Sequence, residues 1–582
     1  MEIYRNAFAA AVCVSIIACL IIFVKKKNRL NIAVIATFIS LFFLFYPNEY
    51  LKGYGIFGTH ILSAFYHAIR VFTLSESVFS DLVTPDDIGQ PLYNIYILYA
   101  TLLYIAAPVL TAGFIIRAFS RCGDLLFMYF NVKKETFVFS SMNDNSVLMA
   151  KSINRLYGDK AKIVFLGTDI TEKSRFDLGE ARVITNNKPI TAFDRNLILK
   201  ASKITFLFED IDEKKNLNET ITMIEKINAD EKIRRVKGRY INMLSFTSLP
   251  EAEPTLNSLP ENVVFLRRIN KHENVIFNYF INNPVCSYVN EKKELNVVIV
   301  GLGKYGTAIL KALIWTCQGD GIKLNISVFD VKPITDSFAA QYPELVYTDA
   351  LPDKKYINYN LKFYDNTDVL ETEISNIKDP VLNDTSIVFV SMGDKEEAFS
   401  TAIFLRESFA RSNCSPKIIA VTKEVESRIP LTMKNYKGID YNIDWISENC
   451  LHTYDQILDK KLERLALDMF HRWNSSYDKV SDDDFYNYEF NFRSSIAAAM
   501  FWLIRKNKGL DISLSDENLE LEHIRWCAYM RTEGFRYSEN RNDLAKLHPC
   551  LIPWNDLSEN MKQRDGDPIK TIIEYVGDEE NE

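Results

Sequence analysis

The residues best suited to chemistry lie far along the chain. In NVVIVGLGKYGTAILKAL (296–313), Gly301, Gly303 and Gly306 follow a short apolar run and open a helical pattern. That G-x-G-x-x-G spacing suits a dinucleotide. One glycine makes the tight turn, one lets the backbone approach a pyrophosphate, and one lets helix and strand pack closely. Asp330 ends the next apolar run and could hydrogen-bond a ribose. It comes 29 residues after Gly301, where about 20 is usual, and TCQGDGIKLN (316–325) reads as the insertion. The competing interpretation is a glycine turn kept only for packing.

A second group sits near the C-terminus. His523, Trp526 and Met530 fall at i, i+3 and i+7, one face of a helix. An aromatic plane there can stack an adenine base. Arg525, Arg531, Arg536 and Arg541 lie close in sequence and could hold phosphates bidentately. Phe535, Tyr537, Lys546 and Trp554 complete this candidate ligand site. Against it stands a plain alternative: Trp526 in the core, the arginines paired with Glu520, Glu522 and Glu533.

Other chemistries find no support. The nine cysteines form no C-x-x-C and the seven histidines no ligand cluster, so no metal site is expected. Gly-x-Ser-x-Gly, His-Glu-x-x-His and a Walker lysine loop are absent. We therefore expect no enzyme and no required cofactor, with NAD(H) or an adenine nucleotide as the candidate occupant of the glycine loop. With 68 basic against 76 acidic residues and no dense basic patch, nucleic acid is not an expected partner.

The elements that position these groups begin in a bilayer. Residues 7–24, 30–46 and 92–116 are uncharged apolar runs near the length that crosses about 30 Å of hydrocarbon. None contains an acidic residue, so no proton or sodium relay is expected. Lys25, Lys26, Lys27 and Arg29 follow the first run, and Arg117 and Arg121 the third. The positive-inside rule then puts the N-terminus outside and everything after about residue 120 in the cytoplasm. Gly53-Tyr54-Gly55 could belong to a re-entrant pore loop. The helical pattern follows it rather than precedes it, which favours a turn before an amphipathic helix from about Ile56 to Phe72. Tyr96, Tyr99, Thr101, Tyr104, Pro108 and Thr111 are pore candidates, or else an aromatic belt with ordinary helix packing.

Strands and helices then alternate from Glu135, which implies parallel sheets covered by helices. FSSMNDNSVLMAKSI (139–153) lies over IVGLGKYGTAILKAL (299–313), so the unit occurs twice. Ser141, Asn143 and Ser146 replace the three glycines in the first copy, which should impair a dinucleotide site there. The expected organisation is a three-span α-helical membrane domain (1–125), two tandem α/β Rossmann-like domains (126–290 and 291–455) and a helical C-terminal domain (456–582).

Membrane spans followed by such tandem domains resemble the regulator-of-potassium-conductance family, over residues 130 to 450. The resemblance implies domains that do no chemistry but assemble into a homo-oligomeric ring, a tetramer or a dimer-based one, that pulls on a pore. The chain lacks that family's filter. Residues 518–565 closely resemble the ryanodine-receptor repeat domain through Glu522, His523, Trp526, Gly534, Tyr537, Arg541, Asp543, Lys546, His548, Pro549, Leu551, Pro553, Leu557, Lys562 and Asp565. Phe535 and Ser538 depart from its usual Trp and Gly. This second resemblance implies a bacterial protein of the inner membrane whose cytoplasmic end recognises a small nucleotide second messenger, often in antiphage defence. The rivals are a housekeeping potassium channel regulated by NAD(H) or ATP, a membrane-bound NAD-dependent oxidoreductase, and a scaffold without a pore.

Overall fold

The computed structural model of the chain is described over residues 2–24, 29–52, 58–73, 83–130, 135–166, 183–186, 188–237, 241–259, 264–372, 374–393, 395–422, 441–457, 460–476 and 480–581. Gly53-Tyr54-Gly55 and Lys25–Lys27 fall outside these residues. The chain divides into two compact units, Met1–Asn131 and Val132–Glu582.

Among the described residues of the first unit, three helices are long and apolar enough to cross a membrane: α1 (Glu2–Val24), α2 (Arg29–Leu51) and α4 (Gln90–Phe130). Their apolar windows are Glu2–Ile22, Ile32–Leu51 and Gln90–Gly113. The 41-residue α4 runs on well past its apolar window. Between α2 and α4, α3 (Thr59–Phe72) packs its Ala64, Ala68 and Val71 inward and is 14 residues long, which at 1.5 Å per residue is too short to span.

One expectation is corrected. α2 does not stop at Tyr46 but continues through Pro47, which places an acid inside the apolar span. Proline removes one helical hydrogen bond without always ending a helix. Glu49 is 2% exposed and accepts from Ser63 Oγ of α3 and Lys52 Nζ, each at 2.5 Å, with His67 Nε2 at 3.7 Å.

The pore candidates of α4 contribute to packing within the single chain. Tyr96 is buried against Phe8, and Tyr99 donates its hydroxyl to Ala11 O of α1 at 2.8 Å. Thr101 and Thr111 bond back to the carbonyls of Ile97 and Ala107. Tyr104 and Pro108 are half-buried in an uninterrupted helix.

The second unit contains two all-parallel six-stranded sheets. The first holds β1 (Glu135–Phe139), β2 (Ala161–Leu166), β3 (Val183–Asn186), β4 (Ile204–Phe208), β5 (Ile241–Phe246) and β6 (Phe265–Ile269) in the order 3-2-1-4-5-6. The other holds β7 (Glu294–Val300), β8 (Lys323–Phe329), β9 (Tyr359–Tyr364), β10 (Ile387–Val390), β11 (Lys417–Thr422) and β12 (Ile443–Ser447) in the equivalent order. Strands such as ITFLF and IVFV are buried at every position, as helices on both faces require. The order reverses between β1 and β4 and between β7 and β10, the two places where such sheets open a crevice.

Helices α8 (Lys460–Trp473), α9 (Glu489–Asn507), α10 (Asp516–Thr532), α11 (Glu559–Arg564) and α12 (Gly566–Asn581) complete the chain. They share one hydrophobic core with the second sheet's helices, in which Trp315 and Trp502 are fully buried. Trp315 Nε1 donates to Thr532 Oγ1 at 2.7 Å across that boundary.

Candidate functional site

The glycine loop joins β7 to α7 (Lys304–Thr316) at the switch point. Gly301 has φ +85, a conformation glycine adopts without strain. A Cβ on Gly306 would stand 2.0 Å from Gly301 O, whereas one on Gly303 would meet nothing within 4 Å. The close packing therefore belongs to Gly306, and the space beside Gly303 is open. Gly306→Ala should lower stability by about 1–3 kcal/mol, and Gly303→Ala should stay within about 0.5 kcal/mol. Thermal melting of the full chain in detergent separates the two. Asp330 lies at the end of β8, but its carboxylate accepts from Leu302 N at 2.8 Å and Lys332 N at 2.9 Å. The acid buttresses the loop.

In the first copy, side chains fill the loop. Asn143 caps α5 (Asp144–Tyr157) by accepting from Ser146 N at 2.9 Å, and Ser146 Oγ accepts from Asn143 N at 2.9 Å. Asn143 Nδ2 and Ser141 Oγ both donate to Glu209 O at the end of β4. The helix N–H groups that a pyrophosphate would use are thus partly satisfied from within.

The C-terminal helices line a cavity of about 270 Å³ that is open to solvent on one side. Helix α8 contributes Met469, Phe470 and Trp473; α9 contributes Phe490, Asn491, Ser494, Ser495 and Ala498; α10 contributes Glu522, Arg525 and Trp526. Arg541, His548, Met561, Arg564 and Pro568 close the rest. Trp526 is half-buried, stacked at 6.0 Å on His523 and edge-on at 5.0 Å to His548. The Arg564 guanidinium lies 4.4 Å over the Trp473 ring, a cation–π arrangement. The lining holds three guanidiniums and the Glu522 carboxylate, and Arg541 is paired with Asp543 at 2.8 and 3.1 Å. Burial and nearby Arg541 pull the His548 imidazole down to about 4, so it is neutral at neutral pH.

Of the residues expected to form the ligand site, the cavity wall includes Arg525, Trp526 and Arg541. His523 stands behind Trp526, with Nε2 2.9 Å from Ile552 O and Nδ1 3.4 Å from Asp565. Although burial opposes its charge, Cys527 and Asp565 raise it to about 11. Met530 and Phe535 lie in the shared core. Arg531 is buried, its Nη2 donating to both carboxylate oxygens of Asp353 at 2.6 and 2.7 Å. Arg536 and Tyr537 are exposed, Lys546 Nζ donates to Glu533 O, and Trp554 lies 5.8 Å from His523. Sequence reasoning missed Trp473 and Arg564. Their distance along the chain hid them, and an aromatic at the end of an amphipathic helix was the one available signal.

Among the described residues, no group of three or more His, Cys, Asp or Glu side chains could hold a metal ion. The chain matches no protein-family model and no curated protein.

Proposed function

We propose that this chain is a nucleotide-sensing membrane effector. Its C-terminal helices, similar in sequence to the ryanodine-receptor repeat, bind a small nucleotide from the cytoplasm. The tandem Rossmann-like domains assemble as a homo-oligomeric ring, and ligand binding rearranges the three-span domain into an ion-conducting or depolarising state. The N-terminus lies outside a bacterial inner membrane, and the role is antiphage signalling. One observation carries this reading: the 270 Å³ cavity that combines Trp473 and Trp526 with three arginines. An aromatic plane and a cationic wall are what a base and a phosphate need. Coupling further requires that the ligand bind one ring state more tightly than the other.

The test is calorimetry on the full chain in nanodiscs with a panel of mononucleotides, ADP-ribose, NAD, ATP and cyclic oligonucleotides. Trp526→Ala should weaken binding by about 1–3 kcal/mol, the value of one stacked base. If binding is unchanged in Trp526→Ala, the cavity is not the sensor. A second reading, regulation by NAD(H) or ATP in a housekeeping channel, draws on the open space at Gly303. It predicts NAD or ATP binding that Gly303→Asp alone removes.

A further inference from the structure

We propose that the ligand of the C-terminal cavity is a single phosphorylated mononucleotide whose phosphate is held by Arg525. This rests on the reading of the cavity as a nucleotide site. Arg525 is 1% exposed. Its Nε and Nη2 donate to Glu522 at 2.9 and 2.7 Å, and Glu522 also accepts from Trp502 Nε1 at 2.8 Å. The guanidinium is therefore locked in orientation before any ligand arrives. Its third nitrogen, Nη1, is buried and has no hydrogen-bond partner among the described residues. A buried donor without a partner is costly, the more so on a charged group. An acceptor in the cavity would remove that cost.

The acceptor is an anion by charge. Arg525, Arg541 and Arg564 line the cavity with Glu522. Arg525 pairs with Glu522 at 2.7 Å and Arg541 with Asp543 at 2.8 Å, so three guanidiniums meet two carboxylates. Glu522 already accepts from Arg525 and Trp502, and His548 is neutral. A guanidinium presents its N–H groups in the geometry phosphate oxygens match. Size sets the rest. At about 270 Å³, the cavity lies at the lower edge of the roughly 300–1,000 Å³ usual for small-ligand sites. One base, one sugar and one phosphate fill that space, and a second nucleoside would have to extend out of its open side.

Full-length chain in nanodiscs is titrated by calorimetry with 5′-AMP, 5′-GMP, their nucleosides, NAD and a cyclic dinucleotide. One mononucleotide should bind at least roughly 10-fold tighter than its nucleoside, the least that a charged hydrogen bond contributes. NAD and the cyclic dinucleotide should bind more weakly than that mononucleotide. Because Arg525→Ala strands Glu522 and could fail to fold, the decisive variant is the pair Arg525→Met with Glu522→Met, its melting temperature checked first. It should keep nucleoside affinity and lose the preference for the phosphate. Equal binding of nucleotide and nucleoside, lost together in Trp526→Ala, overturns the phosphate assignment and leaves the nucleotide site standing. Tighter binding of the dinucleotide overturns the size assignment. No binding of any of these to a normally melting protein overturns both the assignment and the site.

Discussion

Arg531→Ala should destabilise the chain by about 3–5 kcal/mol, the cost of leaving one member of a buried ion pair alone. Arg531 is 2% exposed at the end of α10, and Asp353 is 3% exposed in the loop between β8 and β9. The two carboxylate oxygens accept from Arg531 Nη2 at 2.6 and 2.7 Å, and Glu344 Oε2 lies 3.7 Å from Nε. Burial works against the guanidinium's charge, yet Tyr359, Cys527 and Asp353 raise its pKa above the ordinary arginine value. With alanine in its place, the Asp353 carboxylate stays in the interior without its guanidinium partner. Replacing both residues by apolar ones of similar volume should recover most of the loss, as buried pairs often allow. Denaturant melting of the full chain in detergent measures it. A loss under about 1 kcal/mol would mean that the pair behaves like a solvated one.

Arg493→Ala should cost a similar 3–5 kcal/mol, and with a pH signature. Arg493 of α9 joins Glu273 of α6 (Lys271–Asn282), at 2.6 Å, to Glu489, at 2.6 Å, and to Glu533, at 3.4 Å. Lys311 of α7 holds the other oxygen of Glu533 at 2.7 Å. One guanidinium thus ties the last helix of the first sheet domain to the C-terminal helices, and Glu533 carries the tie to the second sheet domain. Burial would push the Glu533 carboxyl up, but Lys311 and Arg493 together hold it below the ordinary 4.5. A folded value below the unfolded one contributes stability that is present above 4.5 and lost as the pH falls through the folded value. Without Arg493, burial gains weight and the Glu533 value rises, so that contribution shrinks or reverses. The mutant should therefore lose more stability near neutral pH than in acid. Melting curves of wild type and Arg493→Ala from about pH 7 down to about pH 4 should converge. Parallel curves would place the tie elsewhere.

Both residues show how far sequence reading reaches. Arg531 lies on α10, the helix that the i, i+3, i+7 spacing of His523, Trp526 and Met530 predicts. Periodicity does not say which partner waits across the interface. Asp353 lies 178 residues away, so the pairing that turns Arg531 from a ligand candidate into a structural clamp is invisible locally. Met530, on α10, and Phe535, three residues past its end, went into the shared core for the same reason, Phe535 with its ring 5.4 Å from Phe490 of α9. Glu49 was hidden differently. The apolar run ends at Tyr46, but α2 continues through Pro47 to Leu51, and α3 packs over it with Ser63 on Glu49.

What the sequence determined by itself is whatever is written in local period and local sterics. Long uncharged runs become helices able to cross a membrane, because unpaired backbone groups cannot enter hydrocarbon. Buried Val/Ile/Phe runs alternating with helices become two parallel sheets, each reversing its order at the same point. Ser141, Asn143 and Ser146 stand where the second copy has its three glycines, a replacement expected to impair a dinucleotide site, and their side chains hydrogen-bond within the first loop. Tertiary structure alone decided where the charged and aromatic side chains meet. Trp473 and Arg564 reach the wall that Arg525 and Trp526 occupy because α8 and α11 pack against one bundle. The physical reason is range. Backbone preference acts over a few residues, while burial and ion pairing act between any groups that the fold brings within a few ångströms.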